Sequence, residues 1–344
     1  MILDERVDVK ENTIVNLDPE ILGILLIDRT TSKNIIWATD NYKKYGKGYG
    51  IKDKITIEKI TGYNGNIIKP RIKKSKAEQS HRTKDKAEVF TPSWVCNNMN
   101  NLVDDSRLYK NAFNKETKDR KWVSTKTKIK FSSKYTWKDY VKENLLEITC
   151  GEAPYLVSRY DTVTGDILDV KDRIGLLDRK LRVVNENVDK KDKNEWYKWV
   201  IEAFKHTYGY EWQGDSLLIA RENLFYTFKD YYIERYGIEP TLEELKEIAI
   251  IISWNIWQMD GLKGVLPYSC KEEEEFKEIT LFDYFDDEEF KRNNKKQKTI
   301  KCRGCAEKDI IKGMKMHNGI YCKIMDWDED KIIKFIDCMK DNNE

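Results

Sequence analysis

The spacing of apolar residues changes several times along the chain. Near the amino terminus, Ile24-Leu-Leu-Ile27 and Asn34-Ile-Ile-Trp37 bracket a polar turn at Thr30-Thr-Ser-Lys33. Ile55-Thr-Ile57 and Ile67-Ile68 then flank Asn64-Gly65. Short apolar runs between turn residues predict strands, and Asn-Gly is a strong hairpin signal. Residues 1–76 therefore read as a β-rich piece.

The middle of the chain alternates between the two periods. Leu145-Leu146 leads into Glu147-Ile-Thr-Cys-Gly-Glu-Ala-Pro-Tyr155, which reads as a buried strand, a turn at Gly151 and a helix opened by Pro154. Helical spacing follows at Leu176–Val188 and Glu195–His206. A strand at Tyr208-Gly-Tyr-Glu-Trp212 precedes a helix from Asp215 to about Gly237. Thr241 and Glu244, at capping-box spacing after Pro240, open another helix that leads to the strand Asn255-Ile-Trp-Gln-Met259. Three strand–turn–helix units, each with an acidic residue at a strand end (Glu147, Glu211, Asp260), predict an α/β fold. Its parallel sheet would carry a ligand crevice along the carboxyl edge. An ordinary strand–loop–helix connection gives the same pattern at the Glu147 junction.

With 344 residues, 40% apolar and 35% charged, and a mean hydropathy of −0.72, the chain suits a globular protein with a heavily charged surface. No apolar run nears the ~20 residues of a membrane span, and the charged opening Met1-Ile-Leu-Asp-Glu-Arg6 does not read as a signal peptide. A cytoplasmic protein without a membrane partner is the expectation. The net charge of +2 is uninformative, but its distribution is not. Lys69, Arg71, Lys73, Lys74, Lys76, Arg82, Lys84 and Lys86 stand against only Glu78 and Asp85. A second basic stretch, 115–142, is interleaved with Trp122, Tyr135, Trp137 and Tyr140. Such runs can neutralise phosphates while aromatics stack on bases, and they equally fit a solvated face over core aromatics. Residues 272–289 hold ten acidic residues and one Lys, then Lys291, Arg292, Lys295, Lys296 and Lys298 follow. Residues 271–300 read as a charged insertion.

The seven cysteines suggest thiols or metal ligands in place of a disulfide framework. Cys302-Arg-Gly-Cys305, with His317 and Cys322 downstream, has the composition of a zinc site, and Cys338 is the alternative fourth ligand. Lys301 and Arg303 would favour thiolates. A structural Zn²⁺ would help residues 301–344 fold as a small Cys-rich tail. Free thiols are the simpler alternative.

The segment Ala87-Glu-Val-Phe-Thr-Pro92 resembles the Gly/Ala-Glu-Val-Phe-Thr-Pro segment that precedes the core of many N6-adenine DNA methyltransferases of restriction–modification systems. Cys150-Gly151 is similar to part of that family's Asp-Pro-Ala-Cys-Gly-Ser-Gly motif. Tyr208-Gly-Tyr-Glu211 with Ala220, Asn223 and Leu224, and Met259-Asp260-Gly-Leu262, resemble two later segments, in family order. The closest resemblance is to the methylase subunits of such systems, often called subunit M. It implies a Rossmann-like class I methyltransferase sheet within residues 77–270 that binds S-adenosylmethionine. Phe90, Thr91 and Pro92 would flank that cofactor. Glu147, Cys150 and Gly151 would cradle its amino-acid end, Glu211 its ribose and Asp260 its adenine.

The chain departs from the family at three points. Glu152-Ala153-Pro154 stands where Ser/Thr-Gly is usual. About sixty residues separate Glu147 from Glu211, against ~20 in a minimal unit, so an insertion near 161–193 is expected. The Asn-Pro-Pro-Tyr that grips a flipped adenine is absent. Its nearest substitutes are Asp326-Trp327, after the strand Ile320–Ile324, and Pro267-Tyr268. The resemblance implies an S-adenosylmethionine-dependent DNA adenine-N6 methyltransferase, with DNA and a specificity or restriction subunit as partners. One alternative is a catalytically degenerate methyltransferase fold that binds nucleic acid within a restriction or defence complex. Another is a methyltransferase acting on RNA or protein.

Overall fold

The computed structural model describes residues 7–8, 10–86, 91–274 and 299–339. The chain forms two compact units, one of Met1–Gln258 with Ile324–Ile333, the other of Met259–Lys323 with Lys334–Glu344. The fold is mixed α/β with small sheets. Among the described residues no helix is long and apolar enough to cross a membrane.

The first unit opens with helices α1 (Glu11–Leu17) and α2 (Pro19–Leu26), then a two-residue antiparallel pair, β1 (Ile27–Asp28) and β2 (Lys33–Asn34). This corrects the β-rich reading of residues 1–76. Ile24-Leu-Leu is the end of α2, which Asp18 caps by accepting the Glu20 N–H and Pro19 starts at its first position. Ile21, Leu22, Leu25 and Leu26 are fully buried, so the run is apolar nearly all round and its period is ambiguous. Asn64-Gly65 makes a 3₁₀ turn and not a hairpin. Helices α3 (Ile57–Ile60), α4 (Lys76–Lys86) and α5 (Ser93–Asp105) follow, then the antiparallel pair β3 (Asn114–Glu116) and β4 (Trp122–Ser124), and α6 (Trp137–Val141).

The expected parallel sheet is present. Strands β5 (Leu145–Glu147), β6 (Thr207–Glu211) and β7 (Ile256–Gln258) pair in parallel in that order. Between them run α7 (Leu176–Asn187), α8 (Lys193–Lys205), α9 (Gly214–Tyr236) and α10 (Leu242–Asn255). The local signals act as their chemistry requires. Thr241 and Glu244 form the capping box of α10, and Gly237 ends α9 at φ 70°. Gly214 lets the start of α9 abut Ile36, since a Cβ there would lie 2.0 Å from the Ile36 carbonyl oxygen. Trp196, Phe204, Phe225, Phe228 and Tyr232 fill the core. Arg221 binds it together through bonds to the carbonyls of Leu25, Ile27, Ser253 and Ile256, and burial lowers its pKa to about 9.

The three strands lie side by side in chain order, with helices in each connection. The second unit follows in the chain. It holds the strand pair β8 (Glu273–Glu274) and β9 (Thr299–Ile300) and the short helices Arg303–Ala306 and Ile310–Met314. Strands β10 (Lys323–Asp326) and β11 (Lys331–Lys334) form a hairpin lying mostly in the first unit. The charged insertion over 275–298 lies outside the described residues.

Candidate functional site

At the carboxyl edge of the first unit's sheet, the backbone after β5 turns sharply. Thr149, Gly151 and Ala153 have φ values of 47°, 55° and 62°. Three left-handed residues within five, two of them with side chains, are incompatible with a helix. No α-helix opens at Pro154 as expected, and turns lead on to α7. Non-glycine residues held in this region cluster where structure serves a ligand.

Two carboxylates close on this loop. Glu211, at the end of β6, accepts the Gly151 N–H at 2.9 Å and the Gln213 N–H at 3.1 Å. Glu147, at the end of β5, accepts the N–H groups of Leu156 at 3.2 Å and Tyr155 at 3.4 Å. Both are buried. Burial, added to by the charge of Glu211, holds the Glu147 pKa well above the carboxylate range despite those bonds. Burial likewise pushes the Cys150 thiol up, away from thiolate character. Thr91, Asn100, Glu147, Cys150, Gly151 and Tyr155 line one cavity of about 480 Å³. Leu146, Ile148 and Met99 add exposed apolar walls to it. This size suits a small ligand or cofactor, and the acceptors at its floor suit one rich in N–H or O–H donors.

The cavity brings together four of the residues assigned to cofactor binding: Thr91, Glu147, Cys150 and Gly151. Glu211 joins them through Gly151. Pro92 stands at the start of α5, its carbonyl accepting the Val95 N–H. Phe90 lies outside the described residues. Asp260 belongs to the second unit, where it opens a tight turn. Its carboxylate accepts the Leu262 N–H at 3.1 Å and pairs with Lys263 at 3.1 Å. Glu152 has no part in the expected cofactor contacts. It is buried, accepts the Arg71 N–H at 2.6 Å and the Tyr160 hydroxyl at 2.8 Å, and so ties the basic 69–74 segment to the loop.

The catalytic substitutes fare differently. Trp327 donates its indole N–H to Asn255 at 2.8 Å, and the Met325 carbonyl accepts the Tyr208 hydroxyl. Asn255 precedes β7 and also bonds the carbonyls of Phe204, Lys205 and Thr207. Asp326 and Trp327 therefore sit at the amino edge of the sheet, away from the cavity at its carboxyl edge. Parallel strands put their two ends at opposite edges, and linear order does not say which edge a later hairpin covers. Pro267 and Tyr268 belong to the second unit. Tyr268 adopts φ 59° and leads into Cys270.

The second unit gathers Cys270, Cys302, Cys305 and His317, with all ligand atoms within 4.8 Å of one another. His317 Nδ1 lies 3.4, 3.6 and 3.7 Å from the sulfurs of Cys302, Cys270 and Cys305. Zn–S bonds of about 2.3 Å and a Zn–N bond of about 2.0–2.1 Å at tetrahedral angles give an S···N separation of about 3.6 Å. The four residues are thus spaced as a tetrahedral metal site. Gly304 is required between the cysteines, because a Cβ there would lie 2.6 Å from His317 Nδ1. Without metal the thiols are split. Burial raises Cys302, but N–H groups of Asn318 and Cys305 and the His317 ring outweigh it and draw the thiol to about 6. Burial and the neighbouring thiols push Cys270 to about 12.

Cys322 is not in this group. Its N–H donates to the Gly264 carbonyl and its own carbonyl accepts from Phe335, so it is a fully buried rung of a ladder. The preceding Tyr321 faces the metal loop, accepting the His317 N–H at 3.0 Å, and alternate residues of extended backbone point to opposite sides. Cys338 is exposed and outside the group too. Cys270 is delivered by reciprocal bonds between Lys271 and Asn318, at 3.0 and 2.9 Å. It stands far from Cys302 in sequence and alone, so no spacing pattern announces it.

No protein-family model, curated protein or solved structure matches this chain.

Proposed function

We propose that this chain is an S-adenosylmethionine-dependent DNA adenine-N6 methyltransferase of the kind that serves as the modification subunit of a restriction–modification system. One observation carries the reading. Residues from two separate sequence segments, Thr91 and Glu147–Gly151, line a single cavity at the carboxyl edge of a three-stranded parallel sheet, with Glu211 bonded into its loop. Glu147 would face the cofactor's ammonium group and Glu211 its ribose hydroxyls, both of which are donors needing buried acceptors. The bound cofactor would supply an electrophilic methyl group. The protein's part is then to exclude water and orient the target base.

A second reading is supported by the amino-edge position of Asp326 and Trp327 and by the lack of Asn-Pro-Pro-Tyr. In it the chain is a catalytically degenerate methyltransferase fold that binds nucleic acid as a subunit of a restriction or defence complex. In either case the Cys270, Cys302, Cys305 and His317 cluster holds a structural Zn²⁺, as its S···N distances support.

Calorimetric titration with S-adenosylmethionine tests the cofactor site, and absence of binding at high micromolar concentration would sink the methyltransferase reading. If it binds, transfer of labelled methyl groups to mixed-sequence DNA, with and without candidate specificity subunits, separates enzyme from scaffold.

A further inference from the structure

A second cavity in the first unit, of about 460 Å³, is lined by Tyr42, Lys44, Tyr45, Lys69, Lys74 and Arg82, among others. It uses none of the residues that line the cavity at the sheet edge. Two features mark its chemistry. The first is an aromatic ladder. Trp37 and Tyr42 stack with centroids 4.4 Å apart and planes 30° apart, and Tyr42 and Tyr45 continue it at 6.3 Å and 27°. The inner rings are buried, whereas Tyr45, which also packs at 5.6 Å against the buried Tyr49, is 45% exposed and lines the cavity. A planar ring added there would extend an existing stack.

The second feature is net positive charge. Asp215, fully buried beneath the wall, accepts from Arg82 and the Tyr42 hydroxyl, both at 2.7 Å, and pairs with Lys74 at 3.4 Å. Lys44, Lys69, Lys74 and Arg82 in the lining stand against Asp40 and Glu78, and with Asp215 beneath the wall the cations exceed the carboxylates by one. Lys69 lines the cavity with no ion pair among the described residues. Lys44 lies 5.5 Å from the Tyr45 ring centre and pairs with Glu78 at 3.4 Å, both side chains being at least half exposed. Such exposed pairs contribute little and exchange readily.

We infer that this cavity binds a nucleotide unit, its base stacked on Tyr45 and its phosphate held by Lys69, Lys74 and Lys44. The shared chemistry is an aromatic base with a phosphate on the same sugar, and it can come from single-stranded DNA or from a free nucleotide. The site does not depend on the methyltransferase reading, since it rests on its own lining.

Fluorescence anisotropy of the full chain with a labelled single-stranded decanucleotide measures the polymer, and displacement by deoxynucleoside monophosphates measures the free ligand. Tyr45→Ala and Lys69→Ala should each weaken binding about tenfold, within the range of stacking losses on alanine substitution. Tyr45→Phe should bind like the parent. Displacement of the oligonucleotide at equal nucleotide concentration assigns the site to free nucleotides, and its absence assigns it to the polymer. No binding by the parent chain, or parental affinity in both alanine variants, overturns the inference. So does competition by S-adenosylmethionine, which would make this the cofactor's own pocket. Failure to bind that cofactor at all would end the methyltransferase reading and leave this one standing.

Discussion

Cys270→Ser offers the sharpest test of how the second unit is built. The three sulfurs share one nitrogen, His317 Nδ1, at 3.4 to 3.7 Å, so each ligand occupies one corner of the same tetrahedron. Structural zinc sites are worth about 10–16 kcal/mol at neutral pH. One corner of four is then worth roughly 2.5–4 kcal/mol, or about 10²–10³ in metal affinity. The assay is competition of the purified chain with a chromophoric zinc chelator, together with metal content by mass spectrometry. The parent should hold about one equivalent, and Cys270→Ser should release its metal at chelator concentrations the parent resists. Cys322→Ala should retain parental metal affinity while lowering the thermal midpoint, because it removes a fully buried side chain. A Cys270→Ser protein that keeps parental affinity while Cys322→Ala loses it would refute the ligand set. A parent with less than about half an equivalent of zinc would refute the metal centre.

Three further outcomes follow from buried groups of the first unit. Glu147 binds its proton more tightly folded than unfolded, so its contribution to stability falls as pH rises above the unfolded value of about 4.3. Glu147→Gln should therefore raise the urea midpoint at pH 7.5 but not at pH 4, while weakening S-adenosylmethionine binding; an equal gain at both pH values would contradict the titration argument. At Asp215 burial pushes the pKa up, but the charges of Arg82 and Lys74 outweigh it and hold the carboxyl below its usual range. That contribution is present above about 3.9 and is lost as pH falls toward the lower folded value. Arg82→Met leaves the carboxylate less compensated and should cost on the order of 3–5 kcal/mol at pH 7 by urea unfolding, with a smaller loss at acid pH. Gly214→Ala forces a Cβ within 2.0 Å of the Ile36 carbonyl oxygen and should destabilise by about 3 kcal/mol in the same assay; a change under about 0.5 kcal/mol would show that the α9 start is free to shift.

Legibility in the sequence tracked the range of the forces involved. Helices α7 to α10 and strands β6 and β7 are local: Thr241 caps α10 through Glu244 three residues on, and Gly237 ends α9 by its own backbone conformation. Those elements were readable. Ile24-Leu-Leu was not, because a short run buried on nearly all sides has no period to read, although Asp18-Pro19-Glu20 carried a start signal. The three left-handed residues after β5 were also hidden, since Thr149 and Ala153 do not advertise positive φ. Long-range partners were the least accessible. Cys270 reaches its cluster through Asn318, Asp326 finds the amino edge through Asn255 and Tyr208, and Glu152 finds Arg71 across 81 positions.

The same long-range bonds bear on how the loop at the sheet edge would take a ligand. Glu147 and Glu211 spend their oxygens on the N–H groups of Gly151, Gln213, Tyr155 and Leu156, so each carboxylate is satisfied by the loop it would share with a ligand. A cationic or hydroxyl-bearing ligand has to compete with those four bonds, two of which are at 3.2 Å or longer and weak. It gains most at Glu147, where a positive charge would release the proton that burial and Glu211 impose. Glu152 limits how far the loop can open, because its carboxylate is held by Arg71 and Tyr160 and its carbonyl by Asn223. Where the resembled family has small residues, this chain has a strut. Glu152 is therefore the most firmly held point of the loop, and release of a proton from Glu147 on binding, measurable as a buffer-dependent heat of titration, is the outcome expected from its raised pKa.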